Sequence, residues 1–211
     1  MIIDPRETPF QDIHKLMIGS ILPRPIAFVS TLSPEGVRNL APFSYFTGVC
    51  SNPPTLAFAP ARRGYSGEVK DTLVNIRENG EFVVNIVSEE FAEKMVLCST
   101  DYEPGVDEFE VSGLTALPSQ LIHPPRLGEA HVSFECELEQ IVNIGDGSAG
   151  SGFLVIGQIR LFHVSDEVYE DGRIQVDRLR PLGRIAGDGY CRVTDTFEIV
   201  RKIRPDEGEK P

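Results

Sequence analysis

Pro42 sits in the middle of residues 37–49, a segment that otherwise reads as a β-strand. Proline has no amide hydrogen for a ladder, so such a strand must bend or lie at a sheet edge. The segment before it is a stronger strand. Ile26-Ala27-Phe28-Val29-Ser30-Thr31-Leu32 is apolar and β-branched, and Ser33-Pro34-Glu35-Gly36 is a turn with Pro second and Gly fourth. The fold therefore opens on two strands, the second with backbone groups released from pairing. Pro53-Pro54 closes that segment, and residues 55–59 form the next short strand.

Residues 70–80 read as a helix. Asp71 or Thr72 can cap its start, Leu73 and Ile76 share a face, and Gly80 suits the left-handed position past its end. Residues 81–87 follow as a strand with Phe82, Val84 and Ile86 on one face. Ser88 can cap a second helix reaching about Leu97, with Phe91 and Met95 one turn apart; residues 101–125, with four prolines, read as loop. Strands at 130–144 and 153–164 flank a Gly/Ser loop, Asp171-Gly172 marks a tight hairpin, and residues 189–200 read as a closing strand. The expected fold is mainly β, of the α+β kind: a β-barrel with a few flanking helices, one domain over residues 1–211.

Twenty Lys and Arg against 32 Asp and Glu leave a net charge of −12, which argues against nucleic-acid binding. Cys50, Cys98, Cys136 and Cys191 are too scattered for a disulfide framework. The first residues carry acids and a proline where a signal peptide needs an apolar run, and no stretch suits a membrane span. The expectation is a cytoplasmic protein without nucleic-acid or membrane partners. Gly145-Asp146-Gly147-Ser148-Ala149-Gly150 satisfies G-x-G-x-x-G, but a strand-like run follows it where a dinucleotide fold needs a helix, so it reads as a hairpin loop. His14, His123, His131 and His163 lack metal-ligand spacing, and His163 reads as structural. Glu135 and Glu137 read as a solvated pair on one strand face, and no nucleophile–base motif identifies a catalytic residue.

Two clusters remain. Arg62, Arg63 and Lys70 fall just before the helix at 70–80, with Thr72 and Asn75 one turn apart. A helix N-terminus offers unpaired N–H groups, and neighbouring cations add charge-assisted bonds, so the cluster suits a phosphate. The plain alternative is a capped helix with solvated arginines. The second cluster is Asn39, Ala41, Pro42, Phe43, Ser44, Tyr45 and Phe46, where a bent strand frees backbone groups for the polar edge of a flat ring between aromatic walls. Here the alternative is ordinary core packing. Spacing alone reaches a β-rich domain with a candidate phosphate-bearing ligand.

The ordered set of motifs carries further. Ile21-Leu22-Pro23-Arg24-Pro25-Ile26-Ala27-Phe28-Val29-Ser30-Thr31, the turn at Ser33, the stretch from Asn39 to Phe46, Lys70-Asp71-Thr72 with Asn75-Ile76, and Gly80-Glu81-Phe82-Val83-Val84-Asn85 come first. Asp107-Glu108-Phe109, Pro124-Pro125-Arg126, Glu135-Cys136 and Pro181-Leu182-Gly183-Arg184 follow in order. The pattern resembles the flavin reductase-like family over about residues 10–200, with Phe28 where that family often has Trp. The resemblance implies the FMN-binding split barrel and a homodimer with FMN near the subunit interface. It implies that Ser30, Thr31 and the stretch from Asn39 to Phe46 hold the isoalloxazine. Arg62, Arg63, Lys70, Asp71, Thr72 and Asn75 would hold the phosphate, with Asp71 capping the helix rather than facing the ligand. The implied activity is NAD(P)H:FMN oxidoreduction, with a partner monooxygenase as the user of reduced flavin. The rival readings are a flavoredoxin-like FMN electron carrier without NAD(P)H turnover, and a cofactor-free interaction domain.

Overall fold

A computed structural model describes residues 1–200. Its elements are α1 (Phe10–Ser20), β1 (Ala27–Leu32), β2 (Arg38–Phe43), β3 (Phe46–Ser51), β4 (Pro54–Phe58), α2 (Asp71–Asn79), β5 (Glu81–Ile86), a 3₁₀ turn at Glu89–Phe91, and α3 (Ala92–Leu97). They continue as α4 (Glu108–Ser112), β6 (Ala116–Leu117), β7 (Arg126–Leu127), β8 (Val132–Ile144), β9 (Gly152–Val164), β10 (Tyr169–Glu170), β11 (Arg173–Ile174), α5 (Val176–Leu179), β12 (Leu182–Arg184) and β13 (Tyr190–Arg192).

Seven strands form one antiparallel sheet in the order β2-β1-β5-β8-β9-β4-β3. Its two edges, β2 and β3, are consecutive in the chain, joined only by Ser44-Tyr45, so the sheet must curl until its edges meet at that corner. The result is a split β-barrel, as the sequence led us to expect. β1 is buried on both faces, which explains its near-continuous apolar run. Ala27 and Val29 point into the barrel with Phe43, Phe58, Phe82 and Val155, whereas Ile26 and Phe28 face Phe91, Met95 and Phe109 outside it. Leu73 and Ile76 bring α2 against the barrel interior. Gly157 makes the filling possible: a Cβ there would lie 2.3 Å from Phe82 Cζ.

Several boundaries differ from the sequence reading. Pro42 does not break its strand; it pairs opposite Phe28 within β2, and the edge position removes the need for its missing donor. The break falls at Ser44-Tyr45 instead. α2 ends as expected on Gly80 in the left-handed region (φ 70°), but its N-cap is Lys70, and neither Asp71 nor Thr72 caps it. Ser88 precedes the 3₁₀ turn without capping it, and its buried hydroxyl has no partner among the described residues. α4 lies inside the segment read as loop, started by Asp107, whose side chain accepts from the Phe109 amide, and stopped by left-handed Gly113. The closing strand shrinks to β13, which pairs with β12 outside the main sheet, and Phe197, Ile199 and Val200 stand exposed beyond it. The 145–150 loop is a β8–β9 connection, and the Asp171-Gly172 hairpin has φ of 50° and 77°, as a type I′ turn requires. No helix among the described residues is long and apolar enough to cross a membrane.

Glu135 is the clearest correction. Ordinary alternation puts it with Ser133 on the face of β8 away from the barrel core, and the 118–126 segment covers it there, so that its carboxylate is fully buried. It accepts from the amides of Gln120 (2.7 Å) and Leu121 (2.8 Å) and lies 2.6 Å from His163 Nε2. Burial alone would raise the Glu135 pKa; the two amides and the His163 ring outweigh it and hold the acid below its ordinary value. A depressed carboxylate pKa gives stability that is full above the ordinary carboxylate range and lost as pH falls through the lowered value. Glu135→Gln is therefore expected to destabilise the protein at neutral pH, with the gap to the wild type narrowing in acid. Urea melts at several pH values check this, and a gap that stays constant or widens in acid contradicts it.

Candidate functional site

The free edge of β2 and the start of α2 enclose a narrow groove of about 60 Å³. Asn39, Ala41, Pro42 and Phe43 form one wall and Arg63, Lys70, Asp71 and Thr72 the other, with residues 98–102 and Glu108 closing it. Strand pairing places Thr31 opposite Asn39, and the two join a buried polar chain. Asn39 Oδ1 accepts from Thr72 Oγ1 (2.7 Å) and Thr31 Oγ1 (3.2 Å), and Asn75 Nδ2 donates to Thr31 Oγ1 (2.9 Å). At the other end Asn39 Nδ2 donates to both oxygens of Glu108 (3.0 and 3.1 Å), which also accepts from the Leu40 amide (2.9 Å). That last bond shows the Leu40 amide facing away from the β1 ladder. Burial raises the Glu108 pKa against the pull of these donors.

The tip of α2 is electropositive. No side chain caps it, and the Asp71 and Thr72 amides find no partner among the described residues. Arg63, only 9% exposed, and Lys70 stand beside it. Their charges are internally engaged: Asp101 Oδ1 lies 2.6 Å from Arg63 Nη1 and 3.2 Å from Lys70 Nζ, and Asp71 lies 3.4 Å from Arg63.

A second, larger concavity of about 710 Å³ is lined by aromatic and aliphatic groups. Phe10, Ile13 and Met17 of α1 form one side; Tyr45, Pro60 and Phe153 lie among the residues of the other. Arg62 also lines it, stacked 5.1 Å from the Phe153 ring, donating to Gly67 O, and free of any carboxylate partner among the described residues. The Tyr45 hydroxyl is buried without a partner among the described residues. Arg62 lines the cleft and Arg63 the groove, and the two concavities share no lining residue.

The structure thus gathers Asn39, Ala41, Pro42, Phe43, Arg63, Lys70, Asp71 and Thr72 at the groove and Tyr45 and Arg62 at the cleft. Thr31 and Asn75 lie behind the groove wall in the polar chain. Ser30 is not brought to the site: it is fully buried on the opposite face of β1, where its hydroxyl donates to Pro125 O. Ser44 accepts from Arg24 Nε, and Phe46 packs on the barrel core. The sequence reading missed α1, although Phe10, Ile13 and Met17 fall at i, i+3 and i+7 and so share one face. It also gave no role to Glu108 or Asp101. Chemically the arrangement offers an uncapped helix tip with two cations held by Asp101 and Asp71, and a separate aromatic cleft, features that suit a phosphate and a flat ring. It offers no activated nucleophile, since burial pushes the Cys98 thiol in the groove up to about 11.

Residues 18–183 match the model of the flavin reductase like domain. The chain belongs to the flavin reductase-like family. An uncharacterized relative from Halalkalibacterium halodurans is 37% identical over 203 residues, 95% of this chain and 96% of that protein. Among solved members, nitrilotriacetate monooxygenase component B from Bacillus cereus superposes with a TM-score of 0.90 at 38% identity, covering 94% of this chain and 98% of that one. The 2-nitrobenzoate 2-nitroreductase NbaA of Pseudomonas fluorescens gives a TM-score of 0.85 at 34% identity, covering 99% and 100%. Membership of the flavin reductase-like family points to oxidoreductase chemistry.

Proposed function

We propose that this protein binds FMN, accepts hydride from NAD(P)H onto it, and thereby serves as a flavin reductase. The phosphate is assigned to Arg63, Lys70 and the bare amides at the tip of α2, and the ring to the cleft of Tyr45, Phe153 and α1. One observation carries the reading: the cleft, about 710 Å³, is large enough for a fused tricyclic ring, and Arg62 in its lining is next in sequence to Arg63 of the groove. The groove along residues 39–43 is narrower, at about 60 Å³, and the ring is assigned to the cleft beside Tyr45. The donor set fits the group, because an uncapped helix tip with two cations suits a phosphate and an unpartnered phenol suits a ring edge.

When bound, the flavin supplies the hydride-accepting centre, so the chain needs no triad. With the ring bound, Phe10, Met17 and Phe153 would shield it from water, and Arg62 would offer it a positive charge. The remaining open side of the cleft leaves access for a nicotinamide. We place the protein in the cytoplasm as a homodimer. Support for the dimer comes from edge strand β3, exposed from Thr47 to Ser51, and from Phe10, Leu16 and Met17 exposed on α1. The B. cereus relative's designation as a monooxygenase component supports delivery of reduced flavin to an oxygenase.

Anaerobic mixing of the FMN-loaded protein with NADH and then NADPH tests the reading by absorbance. Loss of the flavin band with at least one nicotinamide is expected. A protein that stays yellow through desalting and is bleached by neither is an electron carrier, and one that takes up no FMN is an interaction domain.

A further inference from the structure

Both cations assigned to the phosphate already hold an anion supplied by the chain. Asp101 reaches Arg63 and Lys70 with a single oxygen, and it comes from the short segment between α3 and α4 rather than from the barrel. That segment is tethered lightly: the Thr100 amide donates to Leu97 O at 3.2 Å and the Tyr102 amide to Thr100 O at 3.0 Å, both local bonds. Asp101 is 34% exposed and Arg63 9%, so the carboxylate stands at the mouth of the groove over a buried guanidinium. Asp71 and Glu108 add two further carboxylates on the other walls, and none of these acids is matched by a cation free to receive a phosphate at the groove.

We infer that Asp101 competes with the flavin phosphate for Arg63 and Lys70 and so sets how readily the flavin is released. This rests on the FMN reading above and deepens it. An incoming phosphate must either displace the Asp101 carboxylate or share two cations with it at close range, and either event lowers affinity. The cost falls on the phosphate end of the ligand alone. A flavin held this way exchanges with solution, as delivery to a second enzyme requires, whereas a carrier gains from retention.

The test compares FMN with riboflavin, which has the same ring and no phosphate, by fluorescence titration of wild type and Asp101→Asn. The variant is expected to bind FMN about three- to tenfold more tightly and release it more slowly, with riboflavin affinity unchanged. Unchanged or weaker FMN binding by the folded variant, or equal tightening toward both flavins, overturns the role of Asp101 and leaves the FMN reading standing. Wild type that binds neither flavin overturns both. Should Asp101→Asn fail to fold, Asp101→Ser takes its place with the same expected pattern, and failure of both to fold makes Asp101 a structural residue and overturns the inference.

Discussion

Arg63→Ala combined with Lys70→Ala is expected to raise the dissociation constant for FMN by about 100-fold or more. Two effects add. Each cation removed takes away a charge-assisted bond to the phosphate, on the order of 1.5–3 kcal/mol apiece. The same change strips Asp101 and Asp71 of their partners and leaves two bare carboxylates beside the ligand's phosphate. Riboflavin, whose ring occupies the cleft alone, should lose far less. Because Arg63 is buried, titration with both flavins is paired with a thermal melt; equal loss for FMN and riboflavin in a folded variant contradicts the assignment. Thr72→Ala should do less than its position suggests, since the Thr72 hydroxyl is spent on Asn39 rather than aimed into the groove.

Asn85→Ala is expected to cost about 3–5 kcal/mol of folding stability. The side chain is fully buried on the outer face of β5 and uses all of its hydrogen-bonding capacity. Its Nδ2 donates to Phe28 O (3.0 Å) and Ser30 Oγ (3.3 Å), and its Oδ1 accepts from the Leu127 amide (2.9 Å) and Ser133 Oγ (2.8 Å). Alanine leaves the Leu127 amide and the Ser133 hydroxyl without this partner in a site closed to water, and opens a cavity as well. One amide thus ties together β1, β5, β7 and β8. Urea unfolding reads the effect as a fall in midpoint at unchanged slope, and a loss below about 1 kcal/mol contradicts the hub role.

Much of the frame was legible in the sequence because it rests on local signals. The β1 run, the Ser33 turn, the Gly80 stop and the Asp171-Gly172 hairpin each depend on a few adjacent residues. What was hidden depends on contacts between distant segments. Pro42 announced an edge correctly, yet nothing local shows that the bend falls two residues later, where β2 and β3 are pulled to opposite edges of one sheet. Glu135 has the composition of a solvated strand position, and the distant 118–126 segment buries it. Ser30 and Thr31 are neighbours in a motif, but strand alternation sends their side chains to opposite faces, so only Thr31 joins the chain behind the groove. Asp101 comes from a segment 31 residues beyond Lys70, and no spacing rule connects them.

The proposed site stands on a division of labour in which the helix tip would take the phosphate and the cleft the ring. Difference density from crystals soaked in FMN tests that division most directly. The phosphate is expected within hydrogen-bonding reach of Arg63, Lys70 and the Asp71 and Thr72 amides, with the isoalloxazine between Tyr45, Phe153 and α1. Density for the ring elsewhere, or a phosphate turned away from the tip of α2, contradicts the account.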